Sequence, residues 1–281
     1  MKKIFMFGLI LCCSLNLTTE CFSGSVRDSC VVRMKATSMD WTRNTVVTSG
    51  SAFFKAWGEE VSHKAGVAER QAKIRAIKNL YDFLGEIYLD SSTTISHAQK
   101  KNPGMARDLF AMAQQAVVVE TVRTSGHGYL VEVFVKLDLW DEQVRLFMPD
   151  FLFARTLKRN LKGNEVLLRG DCVINIDATG LEVSPAIIPS ITDEHLDILY
   201  RASILGSGQR SGKSNIGYTS SSGSEPVFRT IRSHDQTMWI RADKASGELG
   251  TDILLDADGA ERFTRVISSS KDDCSINIIL K

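Results

Sequence analysis

Residues Gly206 to Ser214, Gly-Ser-Gly-Gln-Arg-Ser-Gly-Lys-Ser, carry the Gly-Lys-Ser end of a phosphate-cradling loop. In such a loop backbone N–H groups wrap the phosphates, and the chemistry needs four residues between the first glycine and Gly-Lys-Ser. Ser207 holds the position that should be glycine, with Gly206 one residue too far away and Gly208 one too close. No strand-to-helix context surrounds the segment, and Tyr218 to Ser224 is rich in Ser and Gly. Residues 206–224 therefore read as a mobile loop with no nucleotide bound.

Other residue types suited to catalysis or metal binding are scattered. His63, His97, His127, His195 and His234 form no helical H-x-x-x-H pair, and no Gly-x-Ser-x-Gly elbow is present. His127 lies between two glycines in a turn, and Asp193-Glu194-His195 falls in another, where charged side chains are solvated. Asp177, Asp193, Glu194, Asp256 and Asp258 do not follow the spacing of a calcium loop, so turn and capping roles suit them better. No catalytic residue, cofactor or metal site is assigned.

The cysteines point to redox chemistry of a structural kind. Of six, Cys12, Cys13 and Cys21 lie in the N-terminal segment, leaving Cys30, Cys172 and Cys274. Cys172 and Cys274 each open a β-like run, and in an oxidising compartment they can pair if those strands are neighbours. The alternative is two small buried residues on facing strands. Without a CxxC or a nearby histidine pair, the three do not suit zinc.

The N-terminus sets the compartment in which these groups are expected to work. Lys2 and Lys3 precede the apolar run Ile4 to Leu11 and then a small, polar stretch, which is the layout of a secretory signal peptide over residues 1–25. A lipoprotein signal would need a small residue before its acylated cysteine, but Leu11, Cys12 and Glu20 precede the three cysteines there. Removal of residues 1–25 takes two of the 34 basic and one of the 33 acidic residues, so the remainder is neutral. Neutrality argues against a dedicated nucleic-acid binder. No later stretch approaches the roughly 18 apolar residues of a membrane span.

Two α+β modules are expected to position what remains. Val46 to Trp57 reads as a strand handed to a helix over Glu59 to Leu89, whose Ala65, Ala68, Ala72, Ala76, Leu80, Leu84 and Ile87 share one face. Residues 91–104 read mainly as a loop. Ala116 to Arg123 and Tyr129 to Trp140 flank a turn at 124–128, giving a hairpin whose apolar face, Val131, Val133, Val135, Leu137 and Leu139, should receive the alanine-rich helix.

Gly50, the helix segment Ala68 to Leu80 (Ala-Glu-Arg-Gln-Ala-Lys-Ile-Arg-Ala-Ile-Lys-Asn-Leu) and the hairpin arm Gly128 to Val135 (Gly-Tyr-Leu-Val-Glu-Val-Phe-Val) occur in an order that resembles a bacterial envelope family. That family groups Lpp-type outer-membrane lipoproteins with the N-terminal domain of flagellar assembly protein T, and the resemblance covers residues 45–140. It implies a small α+β domain in the periplasm or at the outer membrane, flagellar basal-body or other envelope proteins as partners, and no catalytic residues. The missing lipoprotein signal departs from the anchored members.

Residues 141–165 form a connector in which Phe147, Phe151 and Phe153, with Arg155, Lys158 and Arg159, would suit contact with an anionic membrane or a partner protein. A helix packed between two modules is the alternative. The C-terminal module, residues 166–281, opens with the strand Cys172 to Asp177, places a hairpin between Ser184 to Glu194 and Leu196 to Tyr200, and closes as strand, helix and strand over 252–255, 257–268 and 275–280. Asp256 is expected to cap that helix. Ile176 to Leu181, Pro185-Ala186, Asp193-Glu194 and Asp256 to Ala260 resemble modules that follow Lpp-type domains, with Thr179 and Gly259 departing from the pattern.

The domain plan is thus a signal peptide at 1–25, an Lpp-type/flagellar-assembly-like α+β domain at 26–140, the connector, and the C-terminal module with its loop near 206–224. The function expected is that of an exported, non-enzymatic envelope protein working through protein contacts, with oligomeric state open. A periplasmic hydrolase, or a small-ligand binding protein with a site between the modules, is the competing reading. Paired carboxylates in a cleft would favour the hydrolase, a closed apolar pocket the ligand binder, and open strand edges the assembly role.

Overall fold

A computed structural model describes residues 30–58, 60–139, 172–201, 216–220, 236–269 and 274–280. Across them the chain is an α+β protein, with a five-stranded sheet in its N-terminal part and two four-stranded sheets in its C-terminal part.

The first sheet has the order β1-β2-β3-β5-β4 and is antiparallel throughout. Its strands are β1 (Val31–Met34), β2 (Thr37–Asp40), β3 (Thr45–Phe54), β4 (Val117–Ser125) and β5 (Tyr129–Asp138). Helix α1 (Glu60–Glu86) lies across β3 and β5 and buries Ala65, Ala68, Ala72, Ala76, Leu80 and Leu84. The small side chains bring the helix axis down onto the sheet. At Gly50 the approach is so close that a Cβ would strike the backbone of Ala72 and Ala76, so glycine is required for packing rather than for its dihedral freedom.

β2 pairs with β3 only as far as Thr48, so on that side the next carbonyls of β3 have no strand beside them. Helix side chains replace the missing strand: Asn79 Nδ2 donates to Ser49 O at 2.8 Å, and Arg75 donates to Ser51 O. Polar backbone groups at the margin of a core need such partners.

The segment read as a loop over 91–104 is instead largely helical, with α2 (Ile95–Lys101) followed by α3 (Pro103–Gln114). Its Ser/Thr cluster is a helix cap, for Thr94 Oγ1 accepts from His97 N at 3.3 Å. Pro103 starts α3 rather than breaking it, because the first helical position needs no N–H donor. Met105, Leu109, Met112 and Ala113 are buried, and α3 packs against α1. Packing makes these short helices stable where local propensity alone is marginal.

In the C-terminal module β6 (Cys172–Asp177), β9 (Ile216–Ser220), β10 (Gln236–Arg241) and β13 (Ser275–Leu280) form a wholly parallel sheet ordered β10-β6-β13-β9. A second sheet orders β11 (Lys244–Ser246), β12 (Asp252–Leu254), β7 (Ser190–Thr192) and β8 (Ile198–Arg201) as β11-β12-β7-β8. β7 and β8 make the expected antiparallel hairpin. Helix α4 (Ala257–Ser269) starts where expected, with Asp256 Oδ1 accepting from Gly259 N at 2.7 Å.

β9 lies inside the stretch read as a loop, which corrects that reading for residues 216–220. Ile216, Tyr218 and Ser220 are buried in alternation, and pairing with β13 makes a strand of a segment too rich in Gly, Ser and Thr to announce one.

The two modules share one hydrophobic core. Backbone hydrogen bonds join them through the loop after α1: Ile187 N donates to Tyr88 O at 3.0 Å, Ile188 N to Leu89 O at 2.8 Å, and Leu249 N to Ser91 O at 2.9 Å. Among the described residues no helix is long and apolar enough to cross a membrane.

Candidate interaction surface

The outermost strand of the first sheet, β4, carries five consecutive residues Val117-Val-Val-Glu-Thr121 and then Val122 and Arg123. β-branched residues favour a strand, and pairing with β5 along Val117 to Ser125 secures it. As the edge strand it has one sheet neighbour only. Valine normally goes inside, yet Val117 is 60 % exposed, Val119 52 %, Val118 44 % and Val122 37 %. Natural edge strands are usually blunted by charged side chains, proline, a bulge or a covering element; β4 has no lysine or proline, and its charges, Glu120 and Arg123, and its bulge lie beyond Val117 and Val118.

A bulge between Val118 and Glu120 sets Val119 out of register with β5. Beyond it the register from Glu120 to Ser125 is regular and sorts the side chains onto two faces. Thr121 and Arg123 lie on the face covered by α1, where Arg123 reaches Glu69 at 2.8 Å. Across the sheet, Ser51 pairs with Glu132 and Glu132 with Val122, while Phe53 pairs with Leu130 and Leu130 with Thr124. These two rows belong to the other face, on which Phe53 and Leu130 are exposed. Ser49 donates to Glu132 Oε1 on the same face at 2.8 Å, so the carboxylate there is engaged within the sheet.

At the hairpin end, a cleft of about 570 Å³ opens between the start of α1 and the β4–β5 turn. Its walls include Phe54, Val61, Ala65, Tyr129 and Val131, with Arg123 at its polar side. Phe54 and Tyr129 stack with ring centroids 5.0 Å apart. Among the described residues that line it none is acidic.

Elsewhere, the structure joins Cys172 to Cys274 in a disulfide at the head of the paired strands β6 and β13. Cys30 keeps a buried thiol. His127 is exposed in the hairpin turn. His195 Nε2 stands 3.7 Å from Glu194 on an exposed turn, in which Asp193 Oδ1 accepts from His195 N and Asp197 N. Among the described residues no group of three or more His, Cys, Asp or Glu could hold a metal ion. Phe147, Phe151, Phe153, Arg155, Lys158 and Arg159, the connector as a whole and Gly206 to Ser214 lie outside the described residues.

One buried carboxyl sits where the modules meet. Asp252 accepts from Ser190 N at 2.8 Å and from the Ser91 side chain. Burial pushes its pKa above the usual carboxylate range, against the opposing effect of those hydrogen bonds and of Arg201. Its partners are backbone and hydroxyl groups at a packed junction, which is a structural arrangement.

Sequence reasoning foresaw β4 as a hairpin arm but not its exposure. The unbroken run Val117-Val-Val119 is the signal that could have shown it, since three adjacent valines in a strand cannot all face one core. Residues 173–281 match the family model described as Treponema pallidum Tp0624, second domain. No curated protein matches the chain, so the C-terminal module is similar to that domain and the N-terminal module stands on its own geometry.

Proposed function

We propose that this is an exported, non-enzymatic cell-envelope protein that acts through protein–protein contacts. The observation that carries this reading is the bare valine edge of β4, a ready template for another strand. The N-terminal layout of a signal peptide over residues 1–25 supports export. A disulfide between Cys172 and Cys274 is compatible with an oxidising compartment. On this reading the protein resides in the periplasm or at the outer membrane. The resemblance of residues 45–140 to the family of Lpp-type lipoproteins and flagellar assembly protein T suggests envelope or basal-body proteins as partners.

The experiment is a crosslinking pull-down from fractionated cells, with mass spectrometry of the mature N-terminus and of captured proteins. It is run in parallel with Val119→Lys, which places a charge on the exposed edge. Recovery in the envelope fraction with partners that the variant fails to capture is the expected result. An uncut cytoplasmic protein, or partners captured equally by the variant, would overturn it.

A second reading, a small-ligand binding protein, draws on the cleft beside Phe54 and Tyr129. It differs from the site expected between the modules, since this cleft lies within the N-terminal one. Saturable binding of an apolar fluorophore, lost in Val61→Arg, would favour it.

A further inference from the structure

We propose that the cleft between the start of α1 and the β4–β5 turn binds an acyl carboxylate, with the chain against Phe54, Val61 and Val131 and the carboxylate on Arg123. This rests on the reading of the cleft as a ligand site and names the class of ligand; it is independent of what β4 contacts.

Two rows of residues in register across the sheet build the floor, Phe54–Tyr129–Ser125 and Ala52–Val131–Arg123. Both belong to the face that α1 covers, and each row ends at the edge strand in a polar residue. The helix supplies the facing wall through Val61 and Ala65, one turn apart. Gly58, at φ +61, leads the chain from β3 towards α1, and nothing lies within 4 Å of where its side chain would begin, so that side of the cleft stays clear. Ala65 and Val131 are buried, and Phe54, Val61 and Tyr129 are half-buried. A volume of about 570 Å³ is that of a small-molecule site. Sugars or nucleotides would set many polar groups against these carbon surfaces without partners, whereas an acyl chain loses nothing there.

One cation sets the polar end. Among the described residues Arg123 donates only to Glu69 Oε2, at 2.8 Å, which uses one of the five N–H groups of a guanidinium. Glu69 follows Ala65 by one helical turn, so the pair joins helix to strand and bounds the cleft. The two side chains are 60 % and 41 % exposed, and so open an ion pair is weak. A ligand carboxylate can therefore take the remaining donors in the planar, two-point geometry that a guanidinium favours. Ser62 and Ser125 bring hydroxyl groups to the same lining, and no described lining residue is acidic. An ammonium would thus meet Arg123 with no counter-charge, while an anion meets a complementary one.

The test is isothermal titration of the purified protein with decanoate, decanol and decylammonium, each below its micellar concentration. Decanoate should bind one to one, at least about tenfold more tightly than decanol, with decylammonium weakest. Arg123→Gln, at an exposed position, should abolish that preference and leave decanol binding unchanged. Glu69→Gln removes the competing carboxylate and should tighten decanoate severalfold without moving decanol, a gain that a merely structural ion pair would not give. If decanol binds as tightly as decanoate, or if Arg123→Gln keeps the preference, the proposal fails and the cleft stands as a site for a different class of ligand. If none of the three binds, or Val61→Arg leaves decanoate binding intact, the reading of the cleft as a ligand site fails with it.

Discussion

Trp41, in the turn between β2 and β3, meets Tyr218 of β9 edge to face, with ring centroids 5.5 Å apart. Tyr218 is held from the other side, because its hydroxyl accepts from Ala186 N at 3.0 Å and donates to Ala186 O at 3.1 Å. Full burial raises its pKa far above the ordinary phenol value, so it stays a neutral donor. A polar tip satisfied by backbone and a ring packed across the module junction make this pair a tie between the two halves. Trp41→Ala is expected to cost about 3–5 kcal/mol, and Tyr218→Phe about 1–3 kcal/mol by leaving Ala186 N–H buried without its acceptor. A double-mutant cycle with Trp41→Ala and Tyr218→Ala, read by denaturant unfolding, should show coupling of about 1 kcal/mol. Strict additivity would mean that the modules do not communicate through these rings.

Gly50 is expected to tolerate no side chain. Its position against Ala72 and Ala76 is backbone against backbone, so Gly50→Ala must lift α1 from the sheet. The cost should be about 1–3 kcal/mol or more, whereas Gly66→Ala in the same helix, with open space around it, should be neutral or stabilising. Thermal melts of the two variants distinguish a packing glycine from an incidental one.

The disulfide closes a long loop, since Cys172 and Cys274 are 102 residues apart. Replacing both by alanine, or adding reductant, should lower stability by about 2–4 kcal/mol. Calorimetry with and without reductant measures this, and an unchanged melting temperature in the double variant would show that strand pairing alone suffices.

Asp252 should give the protein a distinctive pH response. A carboxyl whose folded pKa is raised by burial binds its proton more tightly folded than unfolded. Its contribution is therefore fully present below the unfolded value, near 3.8, and is lost as pH rises through the folded value. Asp252→Asn keeps an acceptor for Ser190 N and removes the titration, so it should gain on the wild type as pH rises across that window. Asp252→Ala leaves Ser190 N–H without its acceptor and should cost about 1–3 kcal/mol at any pH. Parallel stability–pH curves for wild type and Asp252→Asn would sink the assignment.

The alanine stripe of α1, the β4–β5 hairpin, the Asp256 cap and the close of the C-terminal module were all legible in the residues, because each depends on a local period or a neighbouring side chain. A 27-residue helix with alanine at steps of three and four announces its buried face, and the alternation Val131, Val133, Val135 does the same for a strand. Several short elements were not legible. β1, β2, α2, α3 and β9 are four to twelve residues long, and each owes its existence to its partners: β1 and β2 to one another and β3, α2 and α3 to α1, and β9 to the distant β13.

The sequence by itself thus determined the α+β class and which face of each long element turns inward, since periodicity needs no tertiary information. Tertiary structure alone decided that Cys172 and Cys274 head neighbouring strands, that Tyr218 reaches Trp41, and that β4 ends up at the sheet edge. Strand order is a long-range property: nothing within Val117–Ser125 says which strands will lie beside it. The exposed valines that carry the functional proposal became a surface only when β5 took β3 as its second neighbour and left β4 outermost.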